Sequence, residues 1–459
     1  MTNPSHHHSK SSVNIRELVL DILLEVPSHY SHIVIRQTLS KYQYLEKRDR
    51  AFITRLAEGT LEQMLHLDYI IDLFSKVKVS KQKPVIKNIL RMAVYQMKFM
   101  DSVPVSAACN EAVKLAEKRG FYNLKGFVNG VLRNISRNLD QIGYHDLKAN
   151  PIKYYSIMYS TPEWIIENWS KTYSYDIIEI MLKTFLEDKK TTVRCIVNQI
   201  SKEEIIMLLK AEGVMAEEHP LYNNALDISG YDYLDYLDTF SKGFITVQDI
   251  TSMTVSKAAD PKPGDYVIDV CAAPGGKSIH IAELLNQTGM VEARDISASK
   301  ISLIEENILR TGIGNIKTVV MDATQYDEAS YEKADIVIAD LPCSGLGVMG
   351  NKTDIKYKMT KEKQIDLVML QKEILSVINK YVKTGGTLIY STCTINIEEN
   401  EKMIEWFTKC FPYSLESIDE YVPECFRSDT TADGYLQFIP GIHGPTGFFI
   451  AKLVKQTGG

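Results

Sequence analysis

"YVIDVCAAPGGKS", residues 266 to 278, decides the fold class. Tyr266, Val267 and Ile268 are strand formers, and a helical pattern follows over 277 to 286, so the stretch reads as strand, small-residue turn and helix. Ala272, Ala273, Gly275 and Gly276 let a ligand approach the backbone, and the start of the helix offers unpaired N–H groups. Outward from this turn, "MVEARDI", "IKTVVMDA", "ADIVIADLP", "GGTLIYSTC" and "GFFIAKLV" are further apolar strands, alternating with helices that include 298 to 311 and about 361 to 383. Continuous apolar strands between amphipathic helices predict an α/β domain over residues 246 to 459, its parallel sheet buried on both faces.

Ligands of such sheets sit beyond the carboxyl ends of the strands, where every candidate for chemistry lies. Asp295, Asp322 and Asp340 end the second, third and fourth strands. Singly, each reads as a cap or turn former. Together with the turn they describe a pocket for an adenosine-containing cofactor, with Asp295 placed for a ribose, Asp322 for the adenine and Asp340 for the reacting end. Two nucleotide motifs fail. A phosphate-binding loop ending in "GKS" needs Gly at position 271, which is Cys, and "GLGVMG" (345 to 350) is followed by no apolar helix.

"DLPCSG" (340 to 345) adds Cys343, at the rim where Pro342 stops the strand, and "YSTCTINIEENE" (390 to 401) adds Cys393. Asn396 and Glu399 read as N-cap and capping-box partner of the helix after it. A lone free Cys is usually a small buried hydrophobe. Two thiols expected on adjacent strands are a redox pair, a metal fragment or a covalent catalyst. The seven cysteines form no Cys-x-x-Cys and no third soft ligand is at hand, so covalent catalysis is preferred and no metal or disulfide framework is expected.

Hydrophobic content of 45% with 24% charged residues fits a globular chain, and its 459 residues exceed one core. With no apolar run long enough for a membrane span and no signal-peptide core, a cytoplasmic protein is expected. His6, His7 and His8 sit in a tail expected to be disordered rather than metal-binding. Residues 1 to 150 hold 22 Lys and Arg against 14 Asp and Glu, the remainder 30 against 44. A basic part joined to an acidic one points to a polyanion at the first third. Helical periodicity from Ile15 onward predicts an all-α bundle over 1 to 145, whose basic residues include Arg48, Arg50, Lys87, Arg91, Lys125, Arg133 and Arg137. Residues 150 to 245 read as a small α+β domain: strand "VRCIVN", a helix opened by Ser201 and Glu204, strand "VMAEEH", and an irregular "YDYLDYLD".

"DVCAAPGGKS", "DLPCSG" and "STCTINIEENE", in this order, resemble the signature blocks of the S-adenosylmethionine-dependent RNA cytosine-5 methyltransferases. The first 140 residues, with "VSAACNEAVKLAEK" and "GFVNGVLRNI", resemble the bacterial antitermination factor N-utilisation substance B. The resemblance implies a Rossmann-like methyltransferase domain, a small RNA-recognition-like domain before it, and 16S ribosomal RNA, free or partly assembled, as the partner of a monomer. It implies S-adenosylmethionine contacts from Cys271, Ala272, Ala273, Pro274, Gly275, Gly276 and Lys277, with Asp295, Asp322 and Asp340 completing the pocket. Cys393 is then the nucleophile and Cys343 assists release, with Asp340 between methyl donor and base; on chemical grounds Asp340 is a donor to the pyrimidine edge if its carboxyl is protonated in a dry site, and Lys277 holds positive charge near both thiols. Gly350, Asn351 and Thr353 stand where the family often has two Arg and a Pro, and Thr446 where an acid is common. The competing readings are a methyltransferase of this fold acting on transfer RNA and a non-catalytic RNA-binding assembly factor.

Overall fold

The computed structural model describes residues 13–144, 149–187 and 190–457, so the His6 to His8 tail lies outside the described residues. By contacts the chain forms two compact units. One holds the described residues up to Glu167 together with Lys352–Tyr357; the other holds Asn168–Asn351 and the chain from Lys358 onward.

The first unit is all helix: α1 (Ile15–Glu25), α2 (Ser31–Lys41), α3 (Lys47–Glu62), α4 (Met64–Phe74), α5 (Pro84–Phe99), α6 (Val105–Lys118), α7 (Lys125–Asn138) and α8 (Pro151–Met158). Asn14 caps α1 by accepting from the Glu17 N–H, and the predicted stripe, with Leu18, Val19, Ile22 and Leu23, is buried. Leu20, Ile53, Leu67, Leu90 and Leu132 are fully buried in one shared core. The 352–357 segment is tied into this unit. Asp354 accepts from the Ser31 amide at 3.1 Å and its hydroxyl at 2.6 Å, while the buried Lys356 ammonium donates to the Glu62 carbonyl at 3.1 Å. Of the basic residues read from the sequence, Arg91 is turned inward as a fork on Asp68, with two bonds of 2.6 Å. Arg133 and Arg137 are exposed on α7.

The helix α9 (Glu163–Trp169) runs across the boundary at Glu167, and in the second unit α10 (Tyr175–Leu186) leads into β1 (Thr191–Cys195), α11 (Lys202–Ala211), β2 (Met215–Glu218), β3 (Ala225–Ser229), α12 (Asp238–Ser241) and β4 (Ile245–Val247). The strands pair antiparallel in the order β2-β3-β1-β4, and Ser201 and Glu204 form the expected capping box on α11. One face of this sheet buries Val193, Leu226 and Ile228 against Ile205 and Leu209 of α11. The other carries Arg194, fully buried and paired with Glu283 and with Gln248 at 2.7 Å, so this part of the face is covered rather than open to a ligand.

The chain continues through α13 (Ile250–Ala258), β5 (Tyr266–Asp269), α14 (Gly276–Leu284), β6 (Met290–Asp295), α15 (Ala298–Thr311), β7 (Ile316–Val320), β8 (Ala334–Asp340), α16 (Ile355–Lys358), α17 (Lys361–Ile378), β9 (Val382–Thr392), α18 (Glu401–Cys410), β10 (Tyr413–Leu415), α19 (Asp429–Ala432), β11 (Tyr435–Phe438) and β12 (Phe448–Lys455). The large sheet runs β10-β12-β9-β8-β5-β6-β7, with β11 on β12. From β9 to β7 every pairing is parallel, but β12 is antiparallel to β9, β10 and β11, so the expected all-parallel sheet is mixed. A parallel neighbour needs a crossover, commonly a helix, whereas β12 follows β11 directly as an antiparallel partner. Among the described residues no helix is long and apolar enough to cross a membrane.

Candidate active site

The turn after β5 is held from below and from the side. The Ser278 hydroxyl donates to the buried Asp269 at 2.6 Å, the Ala272 N–H bonds the Arg294 carbonyl at 2.8 Å, and the Ala273 N–H donates to Asp295 at 3.0 Å. Gly275 caps α14 at φ 102°, a conformation only glycine adopts without strain, and a Cβ at Gly276 would meet nothing within 4 Å. At Gly276 the turn therefore has open space beside its backbone.

Asp295 ends β6, buried, and also accepts from the Ile296 N–H at 2.8 Å and the Lys300 ammonium at 3.0 Å. Asp322 follows β7 and accepts from the amide and hydroxyl of Thr324 at 2.9 and 2.8 Å, the turn-forming role that a single carboxylate suggests. Asp340 ends β8. Its carboxylate accepts from the Lys277 ammonium at 2.6 Å and from the Ser391 hydroxyl at 2.9 Å. A cation and a hydroxyl thus occupy the two carboxylate oxygens of Asp340, one each. Burial works against the Lys277 ammonium, but the charge of Asp340 and their hydrogen bond lift it above the ordinary lysine value.

Pairing of β8 with β9 sets Asp340 opposite Ser391 and so delivers both cysteines to one place: the sulfurs of Cys343 and Cys393 are 3.3 Å apart, hydrogen-bonded and not joined as a disulfide. The hydrogen bond with Cys393, burial, and the charges of Cys393 and Glu399 push the Cys343 thiol well up. Burial likewise raises Cys271, with the carboxylates around it, and it behaves as an un-ionised wall of the pocket. Among the described residues no group of three or more His, Cys, Asp or Glu is arranged to hold a metal.

Three participants escaped the sequence reading. Asp269, pushed up to about 7 by burial, keeps Oδ1 without a hydrogen-bond partner among the described residues. Ser391 locks Asp340. Glu399, expected to cap a helix, instead sits fully buried against the Cys343 loop, and α18 starts only at Glu401 after Asn400. The donor set fits S-adenosylmethionine: a turn with open space beside Gly276, a buried carboxylate at the end of β6, and an unpartnered acceptor at the base of the turn. Thr446, unlike the acid common in the resembling family, donates its hydroxyl to Asp249, the N-cap of α13, at 3.1 Å.

Residues 256–454 match the family model "16S rRNA methyltransferase RsmB/F", and residues 13–137 match the NusB family. The chain is 34% identical over 454 residues to the "Probable ribosomal RNA small subunit methyltransferase B" of Bacillus subtilis (strain 168), covering 96% of this chain and 99% of the relative. It is 31% identical to the protein of that name from Synechocystis sp. (strain ATCC 27184 / PCC 6803 / Kazusa), covering 96% and 100%. Among solved structures, that titled "Crystal Structure of PH0851" superposes with a TM-score of 0.81 at 27% identity, over 96% of this chain and 98% of the other.

Proposed function

Because the chain belongs to the 16S rRNA methyltransferase RsmB/F family, we propose that it methylates carbon 5 of a cytosine in 16S ribosomal RNA through a covalent cysteine adduct. It is an S-adenosylmethionine-dependent RNA methyltransferase. In this reading residues 1–145 dock the RNA, 150–245 form a small RNA-binding domain and 246–459 carry the reaction. The protein works as a cytoplasmic monomer on free or partly assembled ribosomal RNA. Cys271 to Lys277, Asp295 and Asp322 hold the cofactor, with Asp340 between it and the base.

Carbon 5 of cytosine is too weak a nucleophile to take a methyl group unaided. The Cys393 thiolate adds to carbon 6, leaving an enamine whose carbon 5 is nucleophilic. S-adenosylmethionine, when bound, supplies the electrophilic methyl group. Lys277, cationic beside Asp340, is the donor available to the polar edge of the pyrimidine, and Asp340 orients it. After methylation one proton on carbon 5 must go. With Cys393 now a neutral thioether, the foremost cause that raised Cys343 is gone. Cys343, having given its own proton to water, takes the carbon-5 proton as a thiolate, the C5–C6 double bond re-forms, and the bond from carbon 6 to the Cys393 sulfur breaks to leave Cys393 as a thiolate.

The observation carrying this reading is the pair of thiols 3.3 Å apart, next to the Lys277–Asp340 pair. Bisulfite sequencing of 16S ribosomal RNA from cells with and without the protein tests it: one protected cytosine must vanish with the gene. Cys393→Ser must lose methylation and adduct together, and Cys343→Ala must accumulate a protein–RNA adduct that survives a denaturing gel. Normal turnover by Cys343→Ala with no trapped species overturns the assignment.

A further inference from the structure

Glu399 is fully buried, and five neutral donors converge on its carboxylate: the Ser344 amide at 2.8 Å and hydroxyl at 2.5 Å, Asn396 at 2.8 Å, Gln371 at 3.2 Å and Gln364 at 3.4 Å. A carboxylate in such a place is costly unless hydrogen bonds replace its water, and a neutral side chain would fill the volume at less cost. The geometry shows what the carboxylate grips. Ser344 is the residue after Cys343, and Gln371, while donating to Glu399, also donates to the carbonyl of Pro342, the residue before it, at 2.9 Å. Both peptides flanking Cys343 are therefore anchored, directly or through one amide, to a single carboxylate. Local sequence does not require this. The helix that Glu399 was expected to cap begins beyond it, so its side chain is free to serve the loop instead.

We propose that Glu399 is the positioning residue for Cys343, clamping the Pro342–Ser344 loop so that the Cys343 sulfur is presented to carbon 5 at the release step. The proposal rests on the covalent reading above and assigns Glu399 no contact with substrate. Its charge acts in the same sense: after the Cys393 hydrogen bond and burial, Glu399 is among the groups that keep Cys343 a thiol while Cys393 attacks. The division of labour between two adjacent sulfurs then has a structural origin, one lying on the strand end and the other on the clamped loop.

The test is Glu399→Gln, which keeps the volume and removes the charge, and Gln371→Met, which removes the link to Pro342 and leaves the carboxylate in place. Methyl transfer in a single turnover should stay within about two-fold of wild type while release slows about ten-fold or more, so an adduct accumulates on denaturing gels. Thermal midpoint and calorimetric affinity for S-adenosylmethionine serve as controls for the fold, and Gln371→Met carries the test if Glu399→Gln does not fold. Methyl transfer and release falling in parallel, or turnover with no trapped adduct in a folded variant, overturns the role of Glu399. Cys343→Ala runs on the same gel: if it traps an adduct and these variants do not, only the clamp fails; if it traps none, the covalent reading fails with it.

Discussion

Lys277 and Asp340 are where the chemistry of single residues is most constrained, because each answers the other's charge in a place only partly open to water, with side-chain exposures of 14% and 28%. Lys277→Met leaves Asp340 with a lone hydroxyl donor. Allowing for that exposure, the loss should be about 1–3 kcal/mol, read as a lower urea midpoint, and turnover should be lost with it. Asp340→Asn added to Lys277→Met should recover part of the stability and none of the activity, a non-additivity that a double-mutant cycle measures. Asp269 behaves in the opposite sense to a paired carboxylate. Its folded value of about 7 lies above the roughly 3.9 of an unfolded aspartate, so the folded state binds the extra proton. Its stabilising contribution is present at low pH and is lost as pH rises toward the folded value. Relative to Asp269→Asn, the wild type should therefore lose stability from about pH 4 to about pH 7 and run parallel above; chemical denaturation at several pH values checks the slope.

At the scale of elements, the catalytic loop depends on a close crossing of backbones. A Cβ at Gly347 would overlap the carbonyl oxygen of Gly447 and press on the Cys393 carbonyl, and Gly347 is bonded on both sides: the Gly447 N–H reaches the Gly347 carbonyl at 2.7 Å, and the Gly347 N–H the Cys393 carbonyl at 3.0 Å. Gly347→Ala should force this crossing apart, costing about 1–3 kcal/mol as overpacking does and abolishing methylation, with S-adenosylmethionine affinity retained because the cofactor turn lies on another strand. Such crossings are invisible in a linear string, where "GLGVMG" looked like a nucleotide motif and was set aside only for want of a helix. The start of α18 was misplaced for a related reason. Asn396 and Glu399 do pair, at 2.8 Å, but the buried donors of Ser344 and Gln371 draw Glu399 inward, and the helix waits until Glu401. Strands β3, β4, β10 and β11 were not read either, being only three to five residues each and held by partners distant in sequence.

For the whole molecule, the charge asymmetry makes a prediction that belongs to no single site. Arg133 and Arg137 are exposed one turn apart on α7, while Arg91 is committed to Asp68. Replacing the exposed pair by Ala should weaken RNA binding, reduce the slope of log affinity against log salt by roughly one to two, and leave S-adenosylmethionine affinity unchanged, as fluorescence titrations at several salt concentrations would record. The sequence alone determined the succession of architectures, the strand-turn-helix proposed to hold the cofactor, and the placing of acids and thiols at strand ends, because hydrophobic period and turn chemistry are local properties that survive in a string. Tertiary structure decided which strands are neighbours, and with that the 3.3 Å between Cys343 and Cys393, the Lys277–Asp340 ion pair, and the burial of Glu399. Those depend on groups tens of residues apart being brought out of water together, where a hydrogen bond or a charge acquires a strength and direction that no local pattern encodes.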